Sequence, residues 1–395
     1  MKIFLLDIAE NRTQLMPLTY TRSIAELRVG ILKIYEKWEL RLKGRSSFIT
    51  ENYLGKKNVL STSESNLVIN SSVCPDENLA AAICYLKVGQ KLIKDGNLIA
   101  VKTSSVPKLG DSFDLNFKSI DYAREVTLIE RPQDIFTRNG EQIRKDFELV
   151  TAGRKSSEIY DPHSIIYNKE DVFLEEGAVI KACILNAENG PIYLGKNAVV
   201  SEGAIIKGPF ALGEYGQVSL GAKIRGDSTF GPYTKVGGEV SNSVIMGYSN
   251  KSHEGYMGNS VIGEWCNLGA DTNTSNMKNN YSNVKIWDYS QESFGDSGLQ
   301  FYGLIMGDHS KCGINTMFNT GTVAGVSTNI FGAGYPKFFI PSFSWGGSSG
   351  FETYQLQKAI QTASIAMQRK GKQLSNIDIG IFEHIFEQSS KYRTW

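Results

Sequence analysis

The stretch LGKNAVVSEGAIIKGPFALGEYGQVSLGAKIRGDSTFGPYTKV, residues 194–236, places an apolar residue at every sixth position: Leu194, Val200, Ile206, Leu212, Val218, Ile224, Phe230 and Val236. Four residues after most of them stands a small one: Ala198, Ala204, Gly216, Ala222, Ser228 and Thr234, with Phe210 and Val240 as exceptions. Helices repeat near 3.6 residues and strands at two, so a period of six belongs to neither. It is the hexapeptide signature of a parallel β-helix. Three hexapeptides build one triangular coil whose aliphatic residues fill the interior and whose corners admit small side chains. Each coil hydrogen-bonds to the next at the interstrand spacing of ~4.8 Å. The register returns as Met306, Cys312, Phe318, Ala324 and Ile330, with Ser310, Thr316, Thr322 and Thr328 in the small position.

Working outward, the register slips over 238–260, and the polar run Asp271–Val284 fits no coil. Such a run reads as a loop leaving a rigid scaffold, which is where function concentrates. Beyond residue 340, the spacing predicts a helix over Glu352–Arg369, stopped by Gly371, and a second over Ile377–Tyr392. The expectation is that they cap the open end of the rod and cover its strand edges. Upstream, the strand-like runs Ile3–Leu6, Ser47–Thr50, Leu67–Ile69, Leu98–Val101 and Val126–Ile129 alternate with helical spacing over Ile24–Trp38 and Leu79–Ile93. That alternation predicts a mainly parallel α/β layer. Three segments result: an α/β domain over 1–155, a β-helix over 156–340 and a helical segment over 341–395.

The 395 residues carry 42 Lys and Arg against 41 Asp and Glu, a net charge of +1. That balance excludes an electrostatic binder of nucleic acid or membrane and leaves room for a local basic pocket. The five cysteines (Cys74, Cys84, Cys183, Cys266, Cys312) are scattered and form no C-x-x-C pair. They read as small hydrophobes in a reducing compartment rather than a disulfide frame or a zinc site. No apolar stretch approaches the length of a membrane span. The expected setting is cytoplasmic.

Of the four histidines, His163 stands at the domain junction and His384 on the last helix, both read as structural, and His309 occupies a polar position of the repeat. His253 differs: it lies in Asn250-Lys251-Ser252-His253-Glu254-Gly255-Tyr256-Met257-Gly258, where the register is disrupted, shortly before the extruded loop. An unperturbed imidazole titrates near working pH, which makes it a candidate general base. Glu239, Tyr256, Asn267, Asn276 and Lys285 are expected to gather around it, coil above coil.

The run His253-x-x-Tyr256-x-Gly258-x-x-x-Ile262-Gly263-x-x-x-Asn267-Leu268-Gly269-Ala270, followed by Thr274-Ser275-Asn276, resembles the acetyltransferase segment of the GlmU family without a gap. That family joins a sugar-1-phosphate uridylyltransferase to a left-handed β-helix that acetylates glucosamine 1-phosphate. The resemblance is close over 190–290 and weaker to about 335. It implies a transferase in which His253 is the catalytic base. Glu239 is the carboxylate beside it, provided two residues are missing between Arg225 and Glu239. It further implies that Arg225 holds the substrate phosphate and that Lys251, Tyr256, Asn267 and Asn276 contact the sugar. Ala270 and Lys285 meet the acyl donor, acetyl-CoA. Ser241 stands where the family carries a basic residue. The family also implies a homotrimer.

At the amino terminus, Ala9-Glu10-Asn11-Arg12-Thr13-Gln14-Leu15-Met16-Pro17-Leu18-Thr19 is similar to the family's A-G-x-G-T-R-x-x-P-L-T phosphate loop. Glu10 and Arg12 replace both glycines, Gln14 replaces the arginine, and Ser23-Ile24 replaces a Pro-Lys pair. Glycines let such a loop close its amides on phosphates, and the cations neutralise the departing pyrophosphate. The resemblance implies UTP, a sugar 1-phosphate and Mg²⁺ for this step, with Arg12, Arg22 and Arg28 as replacement cations. Three readings stay open: a bifunctional enzyme, an acyltransferase whose front domain only binds a nucleotide sugar, and a trimeric scaffold without activity.

Overall fold

The computed structural model describes residues 2–54, 65–105, 107–110 and 117–395. The chain divides into two compact units: Met1–Leu27 with Leu32–Asp134, and Arg28–Ile31 with Ile135–Trp395.

The first unit is built on a six-stranded sheet in the order Arg45–Ile49, Lys2–Leu6, Asn66–Asn70, Asn97–Thr103, Gln90–Lys94, Lys118–Asp121. Lys2–Leu6 runs parallel to both its neighbours, whereas Asn97–Thr103 is antiparallel to both of its own. The sheet is therefore mixed, which corrects the expectation of a mainly parallel layer. The cause is local: Asp95 and Gly96 take φ of +49° and +81°, the left-handed pair that a two-residue hairpin turn requires. The helix expected over Leu79–Ile93 stops at Cys84, and Gln90–Lys94 is a strand. The one expected over Ile24–Trp38 is interrupted by Gly30 at φ +81°, leaving a 3-10 turn at Ile24–Glu26 and a helix at Ile34–Leu42. That helix buries Ile34, Trp38 and Leu42, one apolar face at four-residue spacing. The Trp38 Nε1–H donates to the Val73 carbonyl at 2.9 Å.

The second unit is a three-faced parallel β-helix with faces of nine, ten and eight strands. Every residue of the six-residue register quoted above points inward and is buried, within one continuous core that runs from Val172 to Ile340. On the first face the inward column reads Leu194, Leu212, Phe230, Ile245, Ile262, Met306, Ala324, Ile340. On the second it reads Val200, Val218, Val236, Lys251, Leu268, Cys312, Ile330. On the third it reads Ile206, Ile224, Val240, Met257, Thr274, Phe318. The register slip has a simple origin. The corner between Val236 and Glu239 contains only Gly237 and Gly238, whereas the corner one coil earlier spans Ser219–Ala222 and the one after spans Ser252–Gly255.

Asn273–Thr274 is still a prism strand, so the polar run leaves the rod later than the sequence suggests. The excursion begins after Thr274, carries the antiparallel hairpin of Lys285–Asp288 and Ser293–Asp296, and rejoins the rod before Ile305–Met306. Polar Asn273 and Thr274 pass as strand residues because pairing with Met317 and Phe318 needs only their backbone.

The carboxy-terminal helices are Leu356–Gln368 and Asn376–Gln388. Glu352 and Thr353, expected to open the first of them, belong instead to Gly350–Thr353, a strand antiparallel to Ser344–Gly347 at the edge of the ten-stranded face. The helices lie along the side of the prism. Phe382 packs on Phe343 and His309, and the Lys370 ammonium sits over the Tyr233 ring several coils earlier. Among the described residues no helix is long and apolar enough to cross a membrane.

Candidate active site

His253 stands on the four-residue corner Ser252–Gly255, between the ten-stranded and eight-stranded faces, with its side chain exposed. Beneath it lies the short corner of Gly237 and Gly238. Gly238 has φ +71°, and a Cβ there would come within 2.6 Å of the Gly255 carbonyl oxygen, so only glycine fits the step. This corner is two residues shorter than those one coil on either side, and it falls between Arg225 and Glu239. The space this leaves is filled from inside by Lys251. Its side chain occupies an inward position between Val236 and Leu268, only 1% exposed. Its ammonium donates to the carbonyls of Gly237 (3.2 Å), His253 (2.8 Å) and Glu254 (3.2 Å). Burial pushes its pKa down to about 8. Lys251 thus faces the backbone of the histidine corner, away from solvent.

On the eight-stranded face, Glu239 pairs in register with Tyr256, and Arg225 Nη2 meets Glu239 Oε1 at 2.7 Å. Arg225 remains 65% exposed, leaving its guanidinium free to turn toward an anion. The Asn276 amide donates to the Tyr256 hydroxyl at 3.0 Å and to Asn259 Oδ1 at 2.8 Å. Burial and the Glu239 carboxylate raise the phenol's pKa against opposition from Asn276 and Arg225. Arg225–Glu239 and Tyr256–Asn276 therefore form two polar pairs on the same face beside the histidine corner.

The remaining residues are placed differently. Asn267 lies on the ten-stranded face, outward, above Asn250 and below Lys311. Ala270 sits on the corner one coil above His253, its carbonyl accepting from Asn315 N at 2.8 Å. Lys285 is exposed on the excursion hairpin, paired with Asp296, its carbonyl facing Gly321.

One feature was missed in the sequence. Tyr215, Tyr233, Tyr248, Trp265 and His309 stack in a ladder up another corner, with ring centroids 4.3–6.2 Å apart. All five take φ between +53° and +64°. The signal was present: four of them follow Gly-x, as in Gly213-Glu214-Tyr215 and Gly263-Glu264-Trp265, and Tyr248 follows Gly247 directly. His309 belongs to this stack and also meets Phe382 edge-on.

In the first unit the altered loop is a short helix, Ala9–Gln14, and Arg12 turns into the interior with 2% exposure. Its guanidinium meets Asp7 at 3.3 Å, donates to the Arg22 carbonyl and the Tyr53 hydroxyl at 2.9 Å each, and reaches the Thr19 carbonyl. The Asp7 carboxylate is further occupied by Ser23, Ile24 N and Thr50. Arg28 belongs to the second unit, where it donates to the Met246 and Ile31 carbonyls. Neither arginine is a replacement for the missing phosphate-loop cation. Each is committed to carbonyls. Among the described residues no group of three or more His, Cys, Asp or Glu comes together to hold a metal. With Asp7 taken up by four donors, the residues around it do not fit a Mg²⁺ site.

Residues 3–155 match the model of a sugar nucleotidyl transferase family. The GlmU bifunctional protein of Methanocaldococcus jannaschii is 37% identical over 87 residues, 22% of this chain and 21% of that protein. The bifunctional sugar-1-phosphate nucleotidylyltransferase/acetyltransferase of Sulfurisphaera tokodaii is 35% identical over 108 residues, 26% of each. Over these stretches the chain is similar to GlmU-type bifunctional proteins. It spans about a quarter of the length of the curated relatives it matches. The solved polySia-specific acetyltransferase NeuO aligns with 54% of this chain and 98% of its own at 13% identity. Its TM-score of 0.28 is too low to bear on the site.

Proposed function

We propose that this GlmU-like chain is an N-acetyltransferase that moves the acetyl group of acetyl-CoA onto the amine of an aminosugar phosphate of the glucosamine 1-phosphate type. The observation that carries this reading is His253, solvent-facing on a rigid corner and flanked on the adjoining face by the Arg225–Glu239 and Tyr256–Asn276 pairs. In the proposed step the sugar amine attacks the thioester carbonyl carbon, forming the C–N bond while the C–S bond breaks. The amine proton passes to the His253 imidazole, and coenzyme A leaves as thiolate to be reprotonated. Glu239 favours the imidazolium so formed, and Arg225 exchanges Glu239 for the sugar phosphate. The Ala270 corner, one coil above, lies where the donor's acyl group would reach. The working form is a cytoplasmic homotrimer.

The test is release of free thiol from acetyl-CoA with glucosamine 1-phosphate, for wild type and His253→Ala together. A general base predicts a loss on the order of 10²–10⁴-fold in kcat. Equal rates in both proteins refute the assignment.

For the front domain a second reading is favoured by Arg12. A loop whose cation is buried against Asp7 and three carbonyl or hydroxyl acceptors suits holding a sugar nucleotide rather than expelling pyrophosphate. Uridylyl transfer, with UTP and a sugar 1-phosphate as substrates, is the first reading, supported by the family match.

A further inference from the structure

Beside the histidine corner, on the ten-stranded face, a cavity of about 490 Å³ opens between the prism and the helix Leu356–Gln368. Four cations line it: Lys235 and Lys311 from the prism, Arg369 and Lys370 from the end of the helix. No carboxylate is among its lining residues, and none forms an ion pair with these four among the described residues. Burial lowers the pKa of Lys370, and the charges of Lys235 and Arg369 lower it further. A fold that gathers like charges without an internal counter-ion leaves them to an external anion.

The layout says what kind of anion. Lys235, Asn250, Asn267 and Lys311 are successive outward positions on the face, so three coil steps of ~4.8 Å put the two lysines about 14 Å apart. Arg369 and Lys370 face them from the helix. Cations spread along the cavity from both walls suit a ligand carrying more than one phosphate group better than a single phosphate. The edges of the stacked Tyr248–Trp265 pair complete the wall, and the volume lies in the range of small-molecule sites.

We propose that this cavity binds a multiply phosphorylated nucleotide, held by Lys235, Lys311, Arg369 and Lys370, with Ser252 bringing it to the corner of His253. The assignment deepens the acetyltransferase reading, since two participants of that reaction class carry such a group: the nucleotide end of an acyl-CoA and a nucleotide-linked aminosugar acceptor.

The experiment is isothermal titration of the full chain with adenosine 3′,5′-diphosphate, UDP and inorganic pyrophosphate, using wild type, Lys311→Met/Lys370→Met and His253→Ala. Expected is binding of one nucleotide that weakens roughly tenfold or more in the double variant, as loss of charge-assisted contacts requires, and is unchanged in His253→Ala. The adenosine ligand in that role identifies the donor, UDP the acceptor. Lys235→Gln/Arg369→Gln, both at exposed positions, gives the same reading should the first pair fail to fold. Nucleotide affinity that neither pair alters overturns the proposal, as does absence of nucleotide binding. Pyrophosphate binding as tightly as either nucleotide also overturns it, leaving a simple anion trap. Because binding needs no turnover, failure here is distinct from failure of the thiol-release assay.

Discussion

At the scale of single residues, Lys251 is the side chain whose place could not be read in advance. The period of six assigns inward positions to aliphatic residues, and a lysine in that slot looks like a break in the pattern. It is inside because a corner two residues short leaves carbonyls of Gly237, His253 and Glu254 turned toward the prism axis, and an ammonium satisfies all three. Its pKa, lowered from 10.5 to about 8, makes a pH-dependent prediction. Between pH 8 and 10.5 the unfolded chain holds a proton that the folded chain has released. Stability therefore rises with pH across that window, by about 3 kcal/mol at 1.36 kcal/mol per unit. In Lys251→Met this rise should vanish from urea-unfolding curves recorded from pH 7 to 10.5, and the same slope in both proteins would refute it. The variant should also lower kcat more than KM, because the His253 backbone loses its anchor while the sugar contacts stay. The motif that singles out His253, Tyr256 and Asn276 lies within one local segment, so their spacing could be read directly.

At the scale of elements, the inward columns were legible because a single period sets all three faces. The aromatic ladder was not, because its members are spaced 18, 15, 17 and 44 residues apart, following corners that shorten and a loop that intervenes. Left-handed backbone costs an L-residue on the order of 1–2 kcal/mol, and stacking against two neighbours returns part of it. Trp265 stacks on both Tyr248 and His309. Trp265→Ala should therefore destabilise the prism by about 1–3 kcal/mol, two aromatic contacts at 0.5–1.5 each, measured by urea unfolding. An unchanged midpoint would mean that the stack contributes nothing. The misread helices of the first unit end before their apolar spacing does: the helix within Leu79–Ile93 stops at Cys84, and a tight Asp95-Gly96 turn recruits Gln90–Lys94 into a hairpin.

At the scale of the whole molecule, the two units carry different kinds of sequence information. The second repeats, so its architecture could be read from one window of the chain. The first is a single-copy α/β unit whose signature loop has been rewritten, and its altered residues could be assigned a role only once Arg12 was found buried. This gives a prediction for the intact chain. If the front domain binds without transferring, UTP plus N-acetylglucosamine 1-phosphate should yield no pyrophosphate above background with any divalent metal, while the thiol-release activity persists. Pyrophosphate release would instead establish the bifunctional enzyme and show that another side chain replaces the loop cation.

The excursion between Thr274 and Leu304 has one further property. Its two ends meet: Tyr302 N donates to the Asn276 carbonyl at 2.7 Å, and Met277 bridges Phe301. A segment clamped at its neck is a cassette in chain connectivity, since loop length costs entropy only logarithmically, and beyond the clamp it touches the rod chiefly through Trp287 and Tyr289 on Phe339. Replacing 279–299 by a short Gly-Ser linker removes Trp287 and Tyr289 from Phe339 and Tyr392, so the prism should still unfold cooperatively in urea with its midpoint lowered by those lost aromatic contacts, whereas a collapsed transition would show that the hairpin holds the rod together. A cassette of this kind can lengthen, shrink or be exchanged between lineages without renegotiating the core, so divergence in this chain has a place to accumulate that leaves the histidine corner standing.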